Sequence, residues 1–408
     1  MRILHTSDWH LGKRLESYSR IEEQKQVLQE ICDLADRENV DAVIIAGDLY
    51  DTYNPPTEAT ELFYHYTKKL TNNAKRPVIA IAGNHDSPER IEAPEPLARE
   101  CGIILAGLPH SFIQPFQLET GLAVVTSEPG FIELKLPTSE IPLRVLLTPY
   151  ANELRMKTYL GSDDAEAEMR NVIQNFWGTL SNKYCDNKGV NLLVSHLFVV
   201  KNGNPLPEEP EEEKSILYVG GAQTIYSQNI PTEIQYVALG HLHRCQTMDT
   251  VPCPVVYAGS PLAYSFAEAN QEKFAMLVDV EPGKAATTIK LPLTAGRKLL
   301  RAKFESIDDA VVWLLDNTTA FVELTVISDT YLNADDKKRL TDAHAGIVNI
   351  IPEIRKKKNE IGEKETQIDL TKSIDVLFAD YFRHEKGQEP NERIRTLFNE
   401  LLGTEEEV

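Results

Sequence analysis

Short strand-like runs recur along this chain, at Arg2–Thr6, Ala42–Ala46, 78–82, Val190–Ser195 and Tyr236–Leu239. A strand with one wet face alternates apolar and polar positions; Ala42–Ala46, small or β-branched throughout, does not, so it predicts a strand covered on both faces. Within two residues of each run stands chemistry: Asp8-Trp9-His10, Gly47-Asp48-Leu49-Tyr50-Asp51, Gly83-Asn84-His85-Asp86, His196, and Gly240-His241-Leu242-His243. Open α/β sheets place ligands beyond the carboxyl ends of their parallel strands, so these ends are candidates to share one edge. Asp48, delivered by the most uniformly apolar run and freed by Gly47 to turn out of the sheet, is the expected hub.

Between the first two runs Ile21, Val27, Leu28, Ile31, Leu34 and Ala35 fall near helical spacing, giving a strand-helix-strand unit. A second helix is expected from Thr57, after Pro55-Pro56, with Ala59, Leu62, Phe63, Tyr66 and Leu70 along one face. Ser87-Pro88 predicts a capped short helix that Pro94 and Pro96 bend or interrupt. From 103 to 149 the segments are short and β-like, including 122–125, 132–136 and 144–147, and predict a second, more antiparallel sheet. Residues 166–184 predict a helix, 201–214 a solvated loop with prolines and a glutamate run, and 255–258 and 274–280 further strands; the large domain is expected to close near Leu293. A smaller α/β unit follows, with strands at 299–304, 321–327 and 348–354 and helices at 307–315 and 335–345. Residues 355–365 are expected to be a charged linker or an exposed helix end. Two amphipathic tail helices, 374–382 and 392–402, carry Ile374, Leu377, Phe378, Tyr381 and Phe382 and Ile394, Leu397, Phe398 and Leu401, apolar surface that must dock somewhere. The expected domains are 1–293, 297–368 and a helical tail, 373–408.

At 408 residues the chain exceeds one ordinary core, and 42% hydrophobic with 25% charged residues is a soluble globular composition. A net charge of -20 changes the functional picture, because a chain this acidic cannot hold nucleic acid by overall charge. Any such contact must come from a local basic patch, a metal site or a partner protein. Cys32, Cys101, Cys185, Cys245 and Cys253 are widely spaced without a C-x-x-C pair, which argues against a disulfide framework or a thiolate zinc site. The chain opens directly on a strand, and no apolar run approaches the ~20 residues of a membrane span. A cytoplasmic protein, without membrane partners, is expected.

Asp8, His10, Asp48, Asn84, His196, His241 and His243 are oxygen donors and imidazoles with no thiolate among them. That mixture suits two divalent ions such as Mn²⁺; Fe²⁺ and Zn²⁺ also fit and Ca²⁺ does not. Singly, each piece has an ordinary structural reading: D-x-H as a cap and a surface histidine, G-N-H-D as a turn, H-x-H as an incidental pair, His196 as a core histidine. Together, each after an apolar strand, they point to a two-metal site. Asp48, a carboxylate able to bridge two cations about 3.5 to 4 Å apart, is the choice for the shared ligand. Lys13, Arg14, Arg90 and Arg244 adjoin these motifs and are candidate phosphate contacts, with solvated surface charge the alternative for each.

D-x-H, G-D-x-x-D, G-N-H-D, a lone His after a strand and G-H-x-H resemble the motif set of the calcineurin-like metallophosphoesterases. The flanking words, His5 to Gly12, Gly47 to Thr52 with Pro55-Pro56, Ala238 to Arg244, Tyr257-Ala258-Gly259-Ser260-Pro261 and the tail around Tyr381 to Leu401, resemble the bacterial SbcD family of nuclease subunits. The resemblance implies a four-layer α/β/β/α sandwich with a smaller α/β capping domain and a C-terminal helical hairpin. It implies one cation on Asp8, His10, Asp48 and His243 and the other on Asp48, Asn84, His196 and His241. A metal-activated water would attack phosphorus in line, and His85 would stabilise or protonate the departing oxygen. Asp51 stands where the wider family has a carboxylate orienting that histidine, whereas the archaeal and eukaryotic relatives of the nuclease carry a histidine there; a turn cap is its alternative. Asp86 is expected to support a ligand by hydrogen bonding. The implied activity is ATP-dependent 3'-5' exonuclease action on duplex DNA ends and endonuclease action on single strands and hairpins. The implied partners are a second copy, through helices at 57–70 and after Ser87, and the ATPase SbcC, its coiled-coil base gripped by the tail in a heterotetramer. The rival functions are a small-molecule phosphodiesterase or nucleotidase on the same metals, and a non-catalytic scaffold for an ATPase.

Overall fold

The computed structural model of the chain describes residues 1–158, 165–203, 224–329 and 332–355, and beyond them 377–379, 381–382, 390, 393–395 and 398. Met1–Arg355 forms one compact unit and Lys356–Val408 a second.

Two sheets carry the first unit. One has six strands in the order Thr287–Leu293, Lys273–Asp279, Arg2–Thr6, Ala42–Ala46, Val78–Ile81, Ile103–Ala106. Its four strands from Arg2–Thr6 outward are mutually parallel, and Lys273–Asp279 runs antiparallel against Arg2–Thr6. The other has eight, in the order Gln246–Asp249, Val255–Tyr257, Tyr236–Leu239, Val190–Ser195, Ser139–Thr148, Phe131–Leu136, Ala123–Glu128, Phe116–Gln117. Within it the four strands from Val255–Tyr257 to Ser139–Thr148 are also parallel.

Alternation along each strand distributes the apolar side chains to two layers. Ala42, Ile44 and Ala46 meet Val145, Leu192, Val194 and Ala238 of the other sheet in a shared interlayer core. Val43 and Ile45 point the other way, against Val27, Leu28 and Ile31 of the helix Ile21–Arg37 and Phe63 of the helix Thr57–Leu70. On the far side Leu193, Val237 and Leu239 pack on Ile173 and Trp177 of the helix Ala165–Tyr184. The stacking is therefore helix, sheet, sheet, helix, and both faces of the central strands are dry, as the unbroken apolar run at Ala42–Ala46 demanded.

The second sheet is the more antiparallel of the two, as expected, with its antiparallel pairings toward the edges. Two expectations need correction. Ile103–Ala106 joins the first sheet rather than opening the second, pairing in parallel with Val78–Ile81. Ser87 precedes the short helix Pro88–Glu92 but makes no side-chain cap; its hydroxyl reaches Glu89 Oε2 at 3.2 Å instead. A second four-residue helix, Glu95–Ala98, and a 3-10 turn, Arg99–Cys101, follow where Pro94 and Pro96 interrupt the path.

Beyond the large sheets, Leu299–Phe304, Phe321–Ser328 and Ile347–Ile354 form a three-stranded parallel sheet with helices Ile307–Asp316 and Ala334–Ala343. It has an apolar cluster of its own, centred on Leu314, Val322, Leu324 and Leu340. Of the second unit, 377–379, 381–382, 393–395 and 398 are helical, and the rings of Phe378 and Phe398 stack with centroids 3.8 Å apart and planes 7° from parallel. Most of the expected loop at 201–214, residues 356–365 of the expected linker, residues 356–368 of the expected small domain, and Ile374, Leu397 and Leu401 of the tail lie outside the described residues. Among the described residues no helix is long and apolar enough to cross a membrane.

Candidate metal centre

The carboxyl ends of the parallel strands of both sheets meet on one side of the sandwich, and glycines make the meeting possible. A Cβ on Gly240 would sit 1.9 Å from the Ala46 carbonyl oxygen, and one on Gly83 would sit 2.1 Å from Asp48 Oδ1. The chain turns sharply as it leaves each strand: Asp8, His10 and Asp48 adopt left-handed backbone angles, with φ of 52°, 43° and 48°, and His241 has φ 108°. Each such residue costs on the order of 1 kcal/mol or more and is tolerated only where its surroundings enforce it. Here they do, because Asp8 N and His10 N donate to Gly47 O and Asp48 O, both at 2.9 Å, carrying the strand pairing past the sheet edge.

All seven expected donors come together, in two groups that share Asp48. Asp48 Oδ2 lies 3.6 Å from His10 Nε2 and 3.3 Å from His196 Nε2. On the first side His10 Nε2 and His243 Nε2 are 2.9 Å apart, and donor atoms of Asp8, His10 and His243 all lie within 4.8 Å of one another. On the second side Asn84 Oδ1 is 3.0 Å from both His196 Nε2 and His241 Nδ1. Backbone contacts lock the set: His241 N donates to Asp8 Oδ1 and His85 N to Asp48 Oδ1, both at 2.9 Å, and His196 Nδ1 binds Ala46 O at 2.8 Å.

The electrostatics are those of a site built for positive charge. Burial pushes Asp8 up to about 6 and His10 and His241 down to about 4 and 3, so both imidazoles are neutral at pH 7. Burial works against the charge of His196 too, but the carboxylates of Asp48 and Asp8 overturn it and raise that group to about 9. Asp8 Oδ2 and His10 Nδ1 are buried with no hydrogen-bond partner, while two imidazole Nε2 atoms converge on one point. An acceptor left dry and unpaired costs about 1–3 kcal/mol, and a divalent cation satisfies both the carboxylate oxygen and the converging lone pairs. With no thiolate in the set, the residues fit hard or borderline divalent ions.

A calcineurin-like phosphoesterase family model matches residues 1–245. The chain is 36% identical to the SbcD component of nuclease SbcCD from Bacillus subtilis, over all of this chain and 99% of that protein. The chain belongs to the SbcD family of calcineurin-like phosphoesterases. Its similarity to other members is lower: 30% to the SbcD protein of Rhodobacter capsulatus, over 72% of this chain and 69% of that one, and 27% to the SbcD protein of Escherichia coli, over 99% and 98%.

In this SbcD family chain the residues around the donors behave less predictably than the donors themselves. His85 Nδ1 contacts Asp51, but through the Asp51 backbone carbonyl, at 2.9 Å; the carboxylate expected to orient it instead pairs with Lys13 Nζ at 3.0 Å and lies 3.6 Å from His10 Nδ1. Burial opposes ionisation of Asp51, yet His10 and Lys13 hold its carboxyl down at about 2. Asp86 takes no part as a donor: its carboxylate accepts from Leu49 N, Tyr50 N and Gly83 N at 2.8 to 3.0 Å, clamping the two loops that carry Asp48 and Asn84. Of the basic candidates, Lys13 is engaged with Asp51, Arg14 is exposed and donates to Ser17 O, Arg90 donates to Asn54 Oδ1 at 2.8 Å, and Arg244 is exposed.

Two supports carry no motif signal. Glu268, nearly wholly buried, lies 3.4 Å from His243 Nδ1 and is ion-paired with the buried Lys273, which also reaches His243 O at 3.1 Å and Ser260 Oγ at 2.9 Å. Only Ser260, inside the Gly-Ser-Pro word, is marked out by the sequence. Arg155 is the other, bonded to the backbone on either side of Asn84-His85.

Proposed function

We propose that the chain is the DNA-cutting component of an SbcCD-type complex, a metal-dependent phosphodiesterase. The observation that carries this reading is the convergence, from two different sheets, of seven donor side chains in two groups sharing Asp48. Asp8, His10, Asp48 and His243 would hold one cation and Asp48, Asn84, His196 and His241 the other, with Mn²⁺ as the ion. Such a pair supplies Lewis acidity, lowering the pKa of a water and neutralising phosphate charge. With Nδ1 occupied by the Asp51 carbonyl, His85 has Nε2 for the substrate and gives its proton to the departing deoxyribose oxygen. Asp86 and Asp51 keep that loop in register from behind, and Lys13, Arg14, Arg90 and Arg244 would position the backbone of the duplex.

The substrates follow from the family: DNA ends cut 3'-5', single strands and hairpins. The complex would act in the cytoplasm as a heterotetramer of two such chains and two SbcC chains, with access to DNA set by the SbcC ATP cycle. Dimerisation through Thr57–Leu70 and the segment after Ser87 is supported by Leu97, which is 78% exposed on the short helix Glu95–Ala98. The experiment is Mn²⁺-dependent cleavage of linear and hairpin duplexes with SbcC and ATP, beside Asp48→Asn. The variant is expected to fold with an unchanged circular dichroism spectrum and to lose at least about a thousandfold in rate, because an amide bridges two cations poorly. Cleavage by Asp48→Asn at the original rate would overturn the reading, and hydrolysis of cyclic nucleotides with no action on DNA would transfer it to small molecules.

A further inference from the structure

Arg155 is 7% exposed and lies far from the metal motifs in sequence, in the four-residue helix Glu153–Met156 that follows the central strand Ser139–Thr148 of the second sheet. Asn152 fixes the start of that helix by accepting from Arg155 N at 2.9 Å. The segment is tied to the first sheet as well, since Tyr150 N donates to Ala82 O at 3.0 Å. Held in this way, the guanidinium forks onto the loop of Asn84 and His85: Nη1 donates to Gly83 O at 2.8 Å and Nη2 to Asp86 O at 2.9 Å, the carbonyls on either side of the two functional residues. Nη2 also donates to Tyr53 Oη at 2.9 Å, and the cation faces the Tyr150 ring at 5.1 Å.

These contacts bear on His85 from both directions. Tyr53 stands two residues after Asp51, whose carbonyl holds His85 Nδ1. One buried side chain therefore joins the loop that carries His85 to the loop that orients its ring. Buried carbonyls need donors, but any donor would satisfy them singly; a planar fork spanning three residues fixes their relative direction, which an ammonium cannot do.

We infer that Arg155 is a positioning residue for His85: it holds the imidazole where its proton reaches the leaving oxygen. The inference rests on the nuclease reading above. In the step concerned water gives up a proton to solvent as its oxygen forms a bond to phosphorus, the P–O bond to deoxyribose breaks, the departing oxygen takes the proton of His85, and solvent returns a proton to His85. An alkoxide leaving group depends on that proton; p-nitrophenolate, a weak base, leaves without it. Loss of positioning therefore has a signature that loss of metal binding or of folding lacks.

The test compares the full chain with its Arg155→Lys, Tyr53→Phe and His85→Gln variants in Mn²⁺, on single-stranded DNA and on bis(p-nitrophenyl) phosphate, with Tm measured for each. Arg155→Lys should lower kcat on DNA about ten- to a hundredfold with KM unchanged, and on the nitrophenyl ester less than about threefold. His85→Gln should show the same selectivity more strongly, and the double variant should be no worse than His85→Gln alone. Tyr53→Phe, at a residue that is 52% exposed and safe to alter, should give a weaker copy of the pattern. Equal losses on both substrates, or losses additive with His85→Gln, would overturn the inference while leaving the nuclease reading intact. No Mn²⁺-dependent turnover of either substrate by the unaltered chain would instead remove the nuclease reading, and the inference with it.

Discussion

At the scale of single residues, the donors were legible because their chemistry is rare in combination and because the backbone that presents them demands glycine. What surrounds them was not. The hold on His85 runs through a backbone carbonyl of Asp51, and every residue has one, so no side-chain pattern could announce it. Arg155 acts from 70 positions away along a different sheet, and Glu268 and Lys273 form a buried pair whose partners only the fold brings together. Two predictions belong here. Gly240→Ala would drive a methyl into the Ala46 carbonyl, which belongs to a buried strand and cannot give way, so about 3 kcal/mol or more of stability should be lost in denaturant unfolding even without metal. His196, raised to about 9, carries a proton at pH 7 that a cation must displace. Calorimetry of Mn²⁺ binding in buffers of different ionisation enthalpy should therefore report release of about one proton at pH 7, falling toward zero as pH rises above about 10. Uptake of protons, or a release that does not fall with pH, would contradict the assignment of His196 to the site.

At the scale of elements, strands buried on both faces were placed almost to the residue, since an unbroken apolar run has one good explanation inside a layered sheet. Arg2–Thr6, Ala42–Ala46, Val190–Ser195 and Tyr236–Leu239 are observed as expected. Edge elements are harder to read. Thr287–Leu293 gives no strand signal, because it lies at the sheet margin with only Leu291 and Leu293 buried and Pro292 facing solvent. Ile103–Ala106 is recognisable as β but not as a member of the first sheet, since four apolar residues fit either one and only the packing decides. The tail offers an element-scale test. Phe378 and Phe398 stack on each other, so replacing either by Ala removes an aromatic pair worth about 1 kcal/mol. If the tail grips SbcC, Phe398→Ala should weaken co-purification at least about tenfold while single-strand cleavage by the isolated chain continues. Undiminished co-purification would take that role from the tail.

At the scale of the whole molecule, net charge of -20 sets the chain against DNA except where basic groups face it. Lys13 is committed to Asp51, so altering it would disturb the centre as well as any DNA contact. Arg14 and Arg244, both exposed, give the cleaner experiment. Replacing both by Gln should weaken binding to every duplex sequence alike and lower the slope of log K against log salt by about two, whereas an unchanged slope would strike them from the interface.

The pairing of the first strand with Lys273–Asp279 has a bearing on how the protein is made. Met1 N donates to Val280 O, so the first strand is completed by a segment that a ribosome delivers 279 residues later. Of the seven donors, Asp8, His10, Asp48 and Asn84 emerge first, and His196, His241 and His243 follow only after a gap of more than 100 residues. A nascent or prematurely terminated polypeptide that stops short of His243 thus lacks at least one donor, and one that stops short of Lys273 leaves the first strand without its antiparallel neighbour, so a competent cutting centre exists only once synthesis has passed both.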